Sequence, residues 1–587
     1  MSFFEFNIGV SGLYAAQRGL SVASNNIANA TTEGYSRQVL RQEASKALSG
    51  IGVGMLGTGV NTTGIERLRD SYLDLKLWKQ NASLGEFSIK TTQNSLVESV
   101  FGEPSDAGFT KVINDLYSAF DNLAMDPTQP ERKAALKQSI ISFSKYFNNI
   151  SESLSGFQQD LNFEVKNKVD EINMLSAKVA SLNQQIYQSE LYGDDANALR
   201  DQRELCVDRL SELINIEAKE VETIGVDGKV RKEFTIKASG QTLVNHLTYR
   251  ELGVEVRGEK EQKINDLSTQ IADLTQAINA GDASLIPQRD QKILELNTIS
   301  NNVVENAGPP YRVTVDGKVV VDNETAVMLP TKWNSQDKEG LYNVIWKDGL
   351  PFNMSDQNMS GELKGVIDMR DGCGTGAKVE YNGIPYYIKR LDNFVQQFAK
   401  EMNDIYNKGN TGTPYYLFTY TDGNSLGAPE QGLGNPPDYT RITASNFSIS
   451  LDIYQDSSKI RTNSEDDPLG YISGTPSNPN PGNNDLLLEL LAQKSNTKMF
   501  KEGDPKDYMI SIFSELGINA QEATMYQKTQ TSVTNSIKNQ RRQVSEPDIN
   551  EEFINLIKYQ QAYQAAAKII TTLDGIYETT IFKLGSF

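Results

Sequence analysis

The chain has 587 residues, so one compact core is improbable and three or four structural units are expected. It carries 57 basic and 76 acidic residues, a net charge of −19, which argues against nucleic acid as a partner because phosphate binding needs a basic face. Two cysteines exclude a disulfide scaffold and a cysteine-rich zinc site, and a single histidine excludes metal sites that need several imidazoles.

The N-terminal segment predicts an amphipathic helix. Apolar residues recur there at alternating spacings of three and four, from Leu13 to Ile27, as in a coiled-coil seam. No Lys or Arg precedes an apolar stretch, so a cleaved secretory signal is not expected. No segment approaches 18 uninterrupted apolar residues, so no membrane span is expected either. These rules alone predict a cytoplasmic protein, or one exported with its N-terminus uncleaved.

The interior contains a duplication. A heptad stretch, a Gly-Asp loop, an Arg-Asp-Gln triplet and a Val-Asp-Gly-Lys-Val segment occur in this order in residues 172–230 and again in 264–319. The pattern predicts a helical hairpin followed by a β-hairpin, and in the second copy Asp316-Gly317 is a good two-residue turn. Two copies are too few for a solenoid, so we interpret the second as a tandem insertion.

The remaining elements are a helix, a loop-rich segment and a helical C-terminal region. Apolar residues from Ile388 to Ile405 keep the helical rhythm and stop at Gly409. Residues 411–484 are rich in Gly, Pro, Asn, Ser and Thr, which interrupt regular structure. Helical patterning returns at Asp485, and its last helix again carries a coiled-coil stripe.

This order of elements predicts an α+β multidomain fold. A discontinuous, coiled-coil-like helical bundle is built from both termini, with mixed α/β and β-rich modules inserted in the middle. The predicted boundaries are 1–45 with 550–587 for the terminal axial helices, 46–220 with 360–410 and 485–549 for a helical bundle domain, 221–257 with 336–359 for β-rich segments, 258–335 for the duplicated insertion, and 411–484 for an outer β- and loop-rich segment.

No residue pattern indicates catalysis. His246 lies in a sequence typical of a strand end or turn, and Cys206 lies on an apolar helix face. The glycine-rich run at 371–376 lacks the Gly-Lys-Ser/Thr of a phosphate loop and does not match GxGxxG, so a turn is the better interpretation. We therefore predict a non-enzyme with no catalytic residues, no cofactor and no metal site.

The most informative stretch is Asn26-Ile-Ala-Asn29 followed by Thr32-Glu-Gly-Tyr-Ser-Arg37. Its local chemistry predicts only a helix end, because the Thr-Thr-Glu-Gly run breaks the helix and Gly34 permits a positive φ. However, the stretch resembles the N-terminal signature of bacterial flagellar rod, hook and hook-associated proteins, an axial family. Its Tyr-Ser-Arg ending is more similar to the hook-associated members.

Other segments extend this resemblance. Residues 551–571 are similar to the terminal helix of the family, and 199–203, 360–365, 369–371 and 391–409 match internal anchors in the same order. Ser545-Glu-Pro-Asp548 departs from the family pattern, and the second copy of the duplicated module exceeds the usual family length.

Two groups of candidate site residues follow, one from the resemblance and one from the heptad spacing of the two chain ends. The N-terminal axial motif comprises Asn26, Ile27, Ala28, Asn29, Thr32, Gly34, Tyr35, Ser36 and Arg37. The assembly seam comprises Leu13, Ala16, Leu20, Ala23, Ile27, Leu556, Tyr559, Tyr563, Ala566, Ile570, Leu573 and Tyr577.

The family resemblance implies an extracellular structural protein at the junction of hook and filament, exported unfolded by the flagellar type III apparatus. Implied partners are the hook protein, the distal hook–filament junction protein, other copies in a ring and a cytoplasmic export chaperone, with no nucleic acid and no membrane. Another axial component, and remotely an outer-domain binding or adhesive role, are the alternatives. We expect the termini to be disordered or loosely helical in the monomer, and the duplicated modules to lie outward.

Overall fold

The computed structural model describes residues 4–50, 54–102, 108–191, 195–224, 230–279, 283–299, 303–305, 312–315, 318–322, 340–348, 352, 359–376, 379–410, 413–422, 429–434, 436–471 and 474–580. The chain divides into two compact units. The first comprises residues 1–161, 171–250 and 355–587, and the second comprises 162–170 and 251–354. The fold is mostly helical with several small antiparallel sheets, in agreement with the predicted α+β class.

The α-helices are α1 (Phe4–Ala28), α2 (Ser71–Phe101), α3 (Phe109–Met125), α4 (Pro130–Glu190), α5 (Asn197–Leu213), α6 (Glu259–Asn279), α7 (Ile286–Ile299), α8 (Glu362–Asp371), α9 (Ile384–Tyr406), α10 (Leu451–Gln455), α11 (Asp485–Ala492), α12 (Pro505–Ser545) and α13 (Ile549–Glu578).

The strands are β1 (Gln38–Ala44), β2 (Leu48–Gly50), β3 (Gly54–Leu56), β4 (Val60–Arg67), β5 (Ile216–Ile224), β6 (Val230–Ala238), β7 (Gln241–Asn245), β8 (Thr248–Tyr249), β9 (Leu252–Val256), β10 (Val303–Glu305), β11 (Arg312–Val315), β12 (Lys318–Asp322), β13 (Tyr342–Trp346), β14 (Phe418–Tyr420) and β15 (Phe447–Ile449). The antiparallel sheets are β1–β4, β2–β3, β5–β6–β7–β8, β9–β13, β10–β11–β12 and β14–β15.

Side-chain caps set the start of the helices that frame the chain ends. The Asp70 carboxylate accepts the first free N–H groups of α2, and Asp548 does the same for α13. Helix α12 begins with a reciprocal capping box between Asp504 and Asp507, with Pro505 in its first turn. The break between α12 and α13 is therefore encoded locally, by Pro547 and the Asp548 cap.

The core of the first unit is built around α9. The structure confirms its predicted apolar stripe, because Leu391, Val395, Phe398 and Met402 have no exposed surface. Aromatic rings of other helices pack on this stripe, and the ring centroids of Phe147 and Phe394 are 5.1 Å apart. Long helices from distant parts of the chain thus share one core.

One segment differs from its predicted class. Residues 46–67 were expected within the helical bundle, but they form β2, β3 and β4, and β4 pairs with β1. Leu40 is the single residue of β1 that is buried, and β4 has none that is fully buried. A two-stranded ribbon without a buried face has no apolar alternation, which explains why the pattern did not reveal it.

The second unit holds the second copy of the duplicated module. Helices α6 and α7 pack together through apolar residues such as Ile271 and Leu296, and β11 pairs with β12. Val315 is paired with Lys318, while the predicted turn residues Asp316 and Gly317 lie outside the described residues. In the first copy the corresponding elements are the end of α4, then α5, β5 and β6.

The module is inserted between two paired strands. Strand β9 pairs with β13, and beyond them Arg257 N–H donates to the Leu341 carbonyl oxygen at 2.7 Å. Gly258 and Gly340 follow, with φ values of +85° and +86°. The chain therefore leaves and re-enters the β9–β13 ladder at neighbouring points.

Candidate assembly site where the chain ends meet

The two terminal helices pack against each other in antiparallel order. Gly9 lies against Ile570, Gly12 against Ala566 and Gly19 against Tyr559. A Cβ added to Gly19 would lie 2.5 Å from the Tyr559 ring, so only glycine allows this approach of the two helices.

The centre of the contact on α1 is a row of small residues. Ala16 and Ala23 are 3% and 1% exposed, and Gly9 and Gly19 are buried beside them. The larger predicted seam residues Leu13, Leu20 and Ile27 are half-buried on the flank. The buried line of α1 thus runs through glycine and alanine and not through the large apolar residues. A search for large apolar residues therefore misses its centre.

On α13 the predicted seam residues differ in burial. Ala566 is 7% exposed and Tyr563 is 38% exposed. The remaining predicted residues are half-buried: Leu556, Tyr559, Ile570, Leu573 and Tyr577. Glu552 and Ala566 are the two buried residues of this 30-residue helix, so α13 has little apolar contact within the single chain.

Another face of α1 packs on the β1–β4 ribbon. The Ser11 hydroxyl accepts the Val60 N–H at 3.3 Å, and Arg18 hydrogen bonds to the Thr62 hydroxyl. Gly59 has φ +114°, and a Cβ there would meet the Ser11 hydroxyl at 2.3 Å. These contacts hold the start of β4 against α1.

Asn26 closes the loop that follows α1. Its amide nitrogen donates to the Gln38 carbonyl at 2.8 Å, and its amide oxygen accepts both the Gln38 N–H and the Tyr35 hydroxyl. Burial, together with the carboxylates of Asp201 and Glu552, raises the pKa of Tyr35 to about 12, so its hydroxyl remains a donor.

The other motif residues form the turn itself. The Asn29 amide donates to the Asn25 carbonyl at 3.0 Å, and the Thr32 hydroxyl donates to the Asn29 amide oxygen at 3.2 Å. Ile27 is half-buried, and Ala28 is exposed. These residues stop the helix locally rather than contact distant elements.

Gly34 is the point at which the motif meets α5. Its φ is +77°, and a Cβ would lie 2.4 Å from Cγ of Leu205. Both the backbone conformation and the close contact therefore require glycine. This contact brings the next two residues against the same helix.

Ser36 is held by a buried carboxylate. Its N–H and hydroxyl donate to the two oxygens of Asp201 at 2.9 and 2.7 Å, and Ser36 has no exposed surface. Arg67 donates to the same carboxylate at 3.0 Å. Asp201 belongs to the Arg-Asp-Gln triplet that the sequence singled out as an anchor.

An ionic network surrounds this contact. Burial alone would raise the pKa of Glu204, but Arg69 and Arg67 outweigh it and lower the pKa to about 2. Arg69 also forms a bidentate pair with Asp74 at 2.8 and 3.0 Å. Arginines of the β4 strand and the segment after it are thereby joined to α5 and α2.

The end of α12 joins the same network. Arg541 forms a bidentate pair with Asp208 at 3.0 and 2.8 Å, and the Trp78 indole N–H donates to Asp208 at 2.7 Å. Helices α2, α5 and α12 are thus joined by one carboxylate.

Arg37 connects the motif to the start of α13. Its N–H donates to the Ser545 carbonyl at 2.7 Å, and its guanidinium pairs with Glu551 and Glu552, each at 2.7 Å. The Glu552 side chain is 3% exposed, whereas that of Glu551 is 60% exposed. A single residue therefore fixes where the last helix begins relative to the first.

Comparison with known proteins decides the family. A model described as the flagellar hook-associated protein FlgK helical domain matches residues 94–263 and 257–414, together more than half of the chain. The chain belongs to the FlgK family of flagellar hook-associated proteins. The model for the C-terminal region of flagellar basal body rod FlgEFG proteins matches 548–581, and that for flagellar basal body rod proteins matches 6–35.

Two full-length curated relatives agree with this membership. Flagellar hook-associated protein 1 of Bacillus subtilis (strain 168) is 26% identical over 593 residues, covering 100% of this chain and 99% of the relative. The protein of that name from Escherichia coli (strain K12) is 24% identical, covering 98% of each chain. The solved structure of the flagellar hook junction protein FlgK from Burkholderia pseudomallei aligns at 14% identity and a TM-score of 0.38, over 80% of this chain and 100% of that one.

The FlgK family is a structural flagellar family and not an enzyme family, so this chain is an axial structural protein of the bacterial flagellum. Within the described residues, His246 lies in a turn with φ +50° and its carbonyl accepts the Asn183 amide. Cys206 is buried and Cys373 is half-buried. None of the described helices combines the length and apolar character of a bilayer span.

The sequence identified only part of this FlgK-family site. It singled out Ser36, Arg37 and Asp201, but not the arginines that complete the network, Arg67, Arg69 and Arg541. Arg541 and Asp208 are 333 residues apart in the chain. No local pattern links residues that far apart, and the Arg67-Leu-Arg69 spacing at the end of β4 was the available signal.

Proposed function

We propose that this protein forms the junction between hook and filament and allows the filament to assemble beyond it. The observation that carries this proposal is the set of contacts of Arg37 with Ser545, Glu551 and Glu552, which we call the Arg37 joint. It holds both chain ends in one antiparallel helix pair. Such a pair is a unit that can stack along an axis. The FlgK-family match agrees with an axial position.

The helix pair retains apolar surface for neighbours. Phe553, Ile554 and Ile557 on α13 are 50%, 53% and 51% exposed, and Tyr14 on α1 is 59% exposed. Removing apolar surface from water stabilises a complex by roughly 25 cal/mol per Å². In our proposal other copies in a ring, the hook protein below and the distal junction protein above cover these side chains.

The proposal includes export of the unfolded chain through the flagellar type III apparatus, after a cytoplasmic chaperone has held it. Two free cysteines and no disulfide among the described residues suit passage through a narrow channel. The sparse burial of α13 suits chain ends that become fully ordered only on assembly. The mature protein is then extracellular, in the flagellum.

A deletion in the native host tests this function. We expect electron microscopy to show hooks without filaments, and immunoblots to show flagellin lost to the medium. Loss of the hook itself would move the protein to an earlier axial position, and intact filaments would refute the junction role.

Complementation of that strain tests the joint itself. Arg37→Ala should fail to restore filaments at equal protein level. Arg41→Ala is the matched control, since the Arg41–Glu66 pair is 60% and 50% exposed and contributes little. If both variants restored filaments equally, the Arg37 contacts would not be needed for filament assembly.

A further inference from the structure

In its first copy the duplicated module carries a three-residue stripe that holds an extended segment of the chain, and two of the three residues recur in the second copy. Asn197, Asp201 and Leu205 lie at spacings of four on α5, on one helix face. The Asn197 amide donates to the Ile65 carbonyl at 2.6 Å. Asp201 binds the N–H and hydroxyl of Ser36, and Leu205 packs on Gly34.

The second copy keeps the Asp and the Leu at the same positions relative to Arg-Asp-Gln, and has Ile286 in place of Asn197. The stripe there comprises Ile286, Asp290 and Leu294 on α7. Their exposure is the reverse of that in the first copy, since Ile286 and Leu294 are 39% and 66% exposed and the Asp290 side chain is 56% exposed. Asp290 pairs with its own neighbour Arg289 at 2.9 Å.

The residue at the position of Glu204 is changed in the second copy. Glu204, which binds Arg67 and Arg69, corresponds to Ile293, which is 7% exposed and packs inward. The second copy has therefore lost the arginine-binding carboxylate but kept the acidic and apolar pair that holds Gly34 and Ser36 in the first.

We propose that the stripe Ile286–Asp290–Leu294 is a binding site for an extended Gly-x-Ser segment of a different flagellar subunit. In this complex a backbone N–H and a serine hydroxyl would donate to Asp290, and the glycine would allow the backbone to lie on Leu294. A second copy of this chain is not the partner, because its own Ser36 is already buried on Asp201 and its own Gly34 already lies against Leu205. The inference rests on the proposed function only for the identity of the neighbour.

Peptide binding to the full-length protein tests this site. A fluorescent peptide with the sequence of residues 31–39, TTEGYSRQV, should bind weakly and saturably, with a dissociation constant on the order of 1 mM for so small a contact. Asp290→Asn should weaken binding at least about tenfold, the effect of losing one charge-assisted hydrogen bond. Asp273→Asn, an exposed acidic residue on α6, is the matched control and should change binding less than about twofold.

The peptide supplies a second, independent arm. A Ser36→Ala peptide should lose as much affinity for the unaltered protein as the original peptide loses for Asp290→Asn, which excludes misfolding of the variant as the cause. Equal binding by Asp290→Asn and the unaltered protein would overturn the proposal. Self-association that depends on Asp290 in sedimentation would overturn it too, because the partner would then be a second copy.

This outcome is separable from that of the deletion strain. Peptide binding does not depend on where the protein lies in the flagellum, so it can fail while the junction role stands. The reverse result, binding without a filament defect on deletion, would preserve the site and remove the proposed function.

Discussion

Replacing Arg37 by alanine should destabilise the packing of the first turn of α13 against the rest of the chain. The substitution removes two ion pairs of different value. The pair with Glu551 is exposed and contributes about 0–1 kcal/mol. The pair with Glu552 is buried, so its loss leaves an uncompensated carboxylate and costs about 3–5 kcal/mol. The Arg37 N–H bond to Ser545 is a backbone contact and is retained.

Hydrogen exchange of the α13 amides measures this cost locally. A loss of about 3 kcal/mol corresponds to at least about a hundredfold increase in opening, and we expect it in the first turns of α13, which lie beside Arg37. The Arg41→Ala variant should exchange like the unaltered protein, because its pair with Glu66 is exposed on both sides.

A double variant distinguishes the buried charge from other causes. Arg37→Ala with Glu552→Gln should regain most of the protection, since a buried amide costs less than a buried carboxylate without its cation. Our account of the joint would be refuted if the double variant were as unprotected as the single one, or if Arg37→Ala exchanged no faster than Arg41→Ala.

Further predictions concern the turn, the network, the insertion and the chain ends. Gly34→Ala should lower the urea midpoint by more than Gly240→Ala, because both glycines have positive φ but only at position 34 would a Cβ meet a close neighbour. If both variants lowered the midpoint equally, backbone strain alone would explain the loss, and the close contact with Leu205 would contribute nothing. Since the pKa of Glu204 is lowered in the folded state, its stabilisation is present above about pH 4.5 and is lost as the pH falls toward about 2; a Glu204→Gln variant with the same acid-unfolding profile would contradict this. Deletion of residues 259–339 should leave a Gly-Gly turn with the positive φ values of a type I′ hairpin, and filaments should still assemble; a folded variant that forms no junction would place the insertion among the axial contacts. In the purified monomer, limited proteolysis should trim both ends first, and persistent protection of both ends would count against ordering on assembly.

The sequence predicted best the elements whose signal is local. The stripe of α9 was recognisable because most of its buried positions from Leu391 to Met402 carry a large apolar residue at helical spacing. The duplicated helices were recognisable for the same reason and because two copies reinforce each other. In such segments the residue pattern and the burial pattern coincide.

The parts that were missed depend on small residues or on distant pairs. The α1 seam is centred on Gly9, Ala16, Gly19 and Ala23, which carry little hydrophobic signal although they decide how closely the helices approach. The β1–β4 ribbon has a single buried residue, Leu40, and therefore no buried face that a pattern could reveal. The network around Ser36 joins residues more than 130 positions apart, so only the three-dimensional structure reveals it.

Immunogold labelling of intact flagella tests the central claim most directly. Antibody against this protein should mark one narrow band on each flagellum, between the end of the hook and the start of the filament, and the deletion strain should carry no label. Label spread along the hook or the filament, or flagella without label, would contradict a junction role.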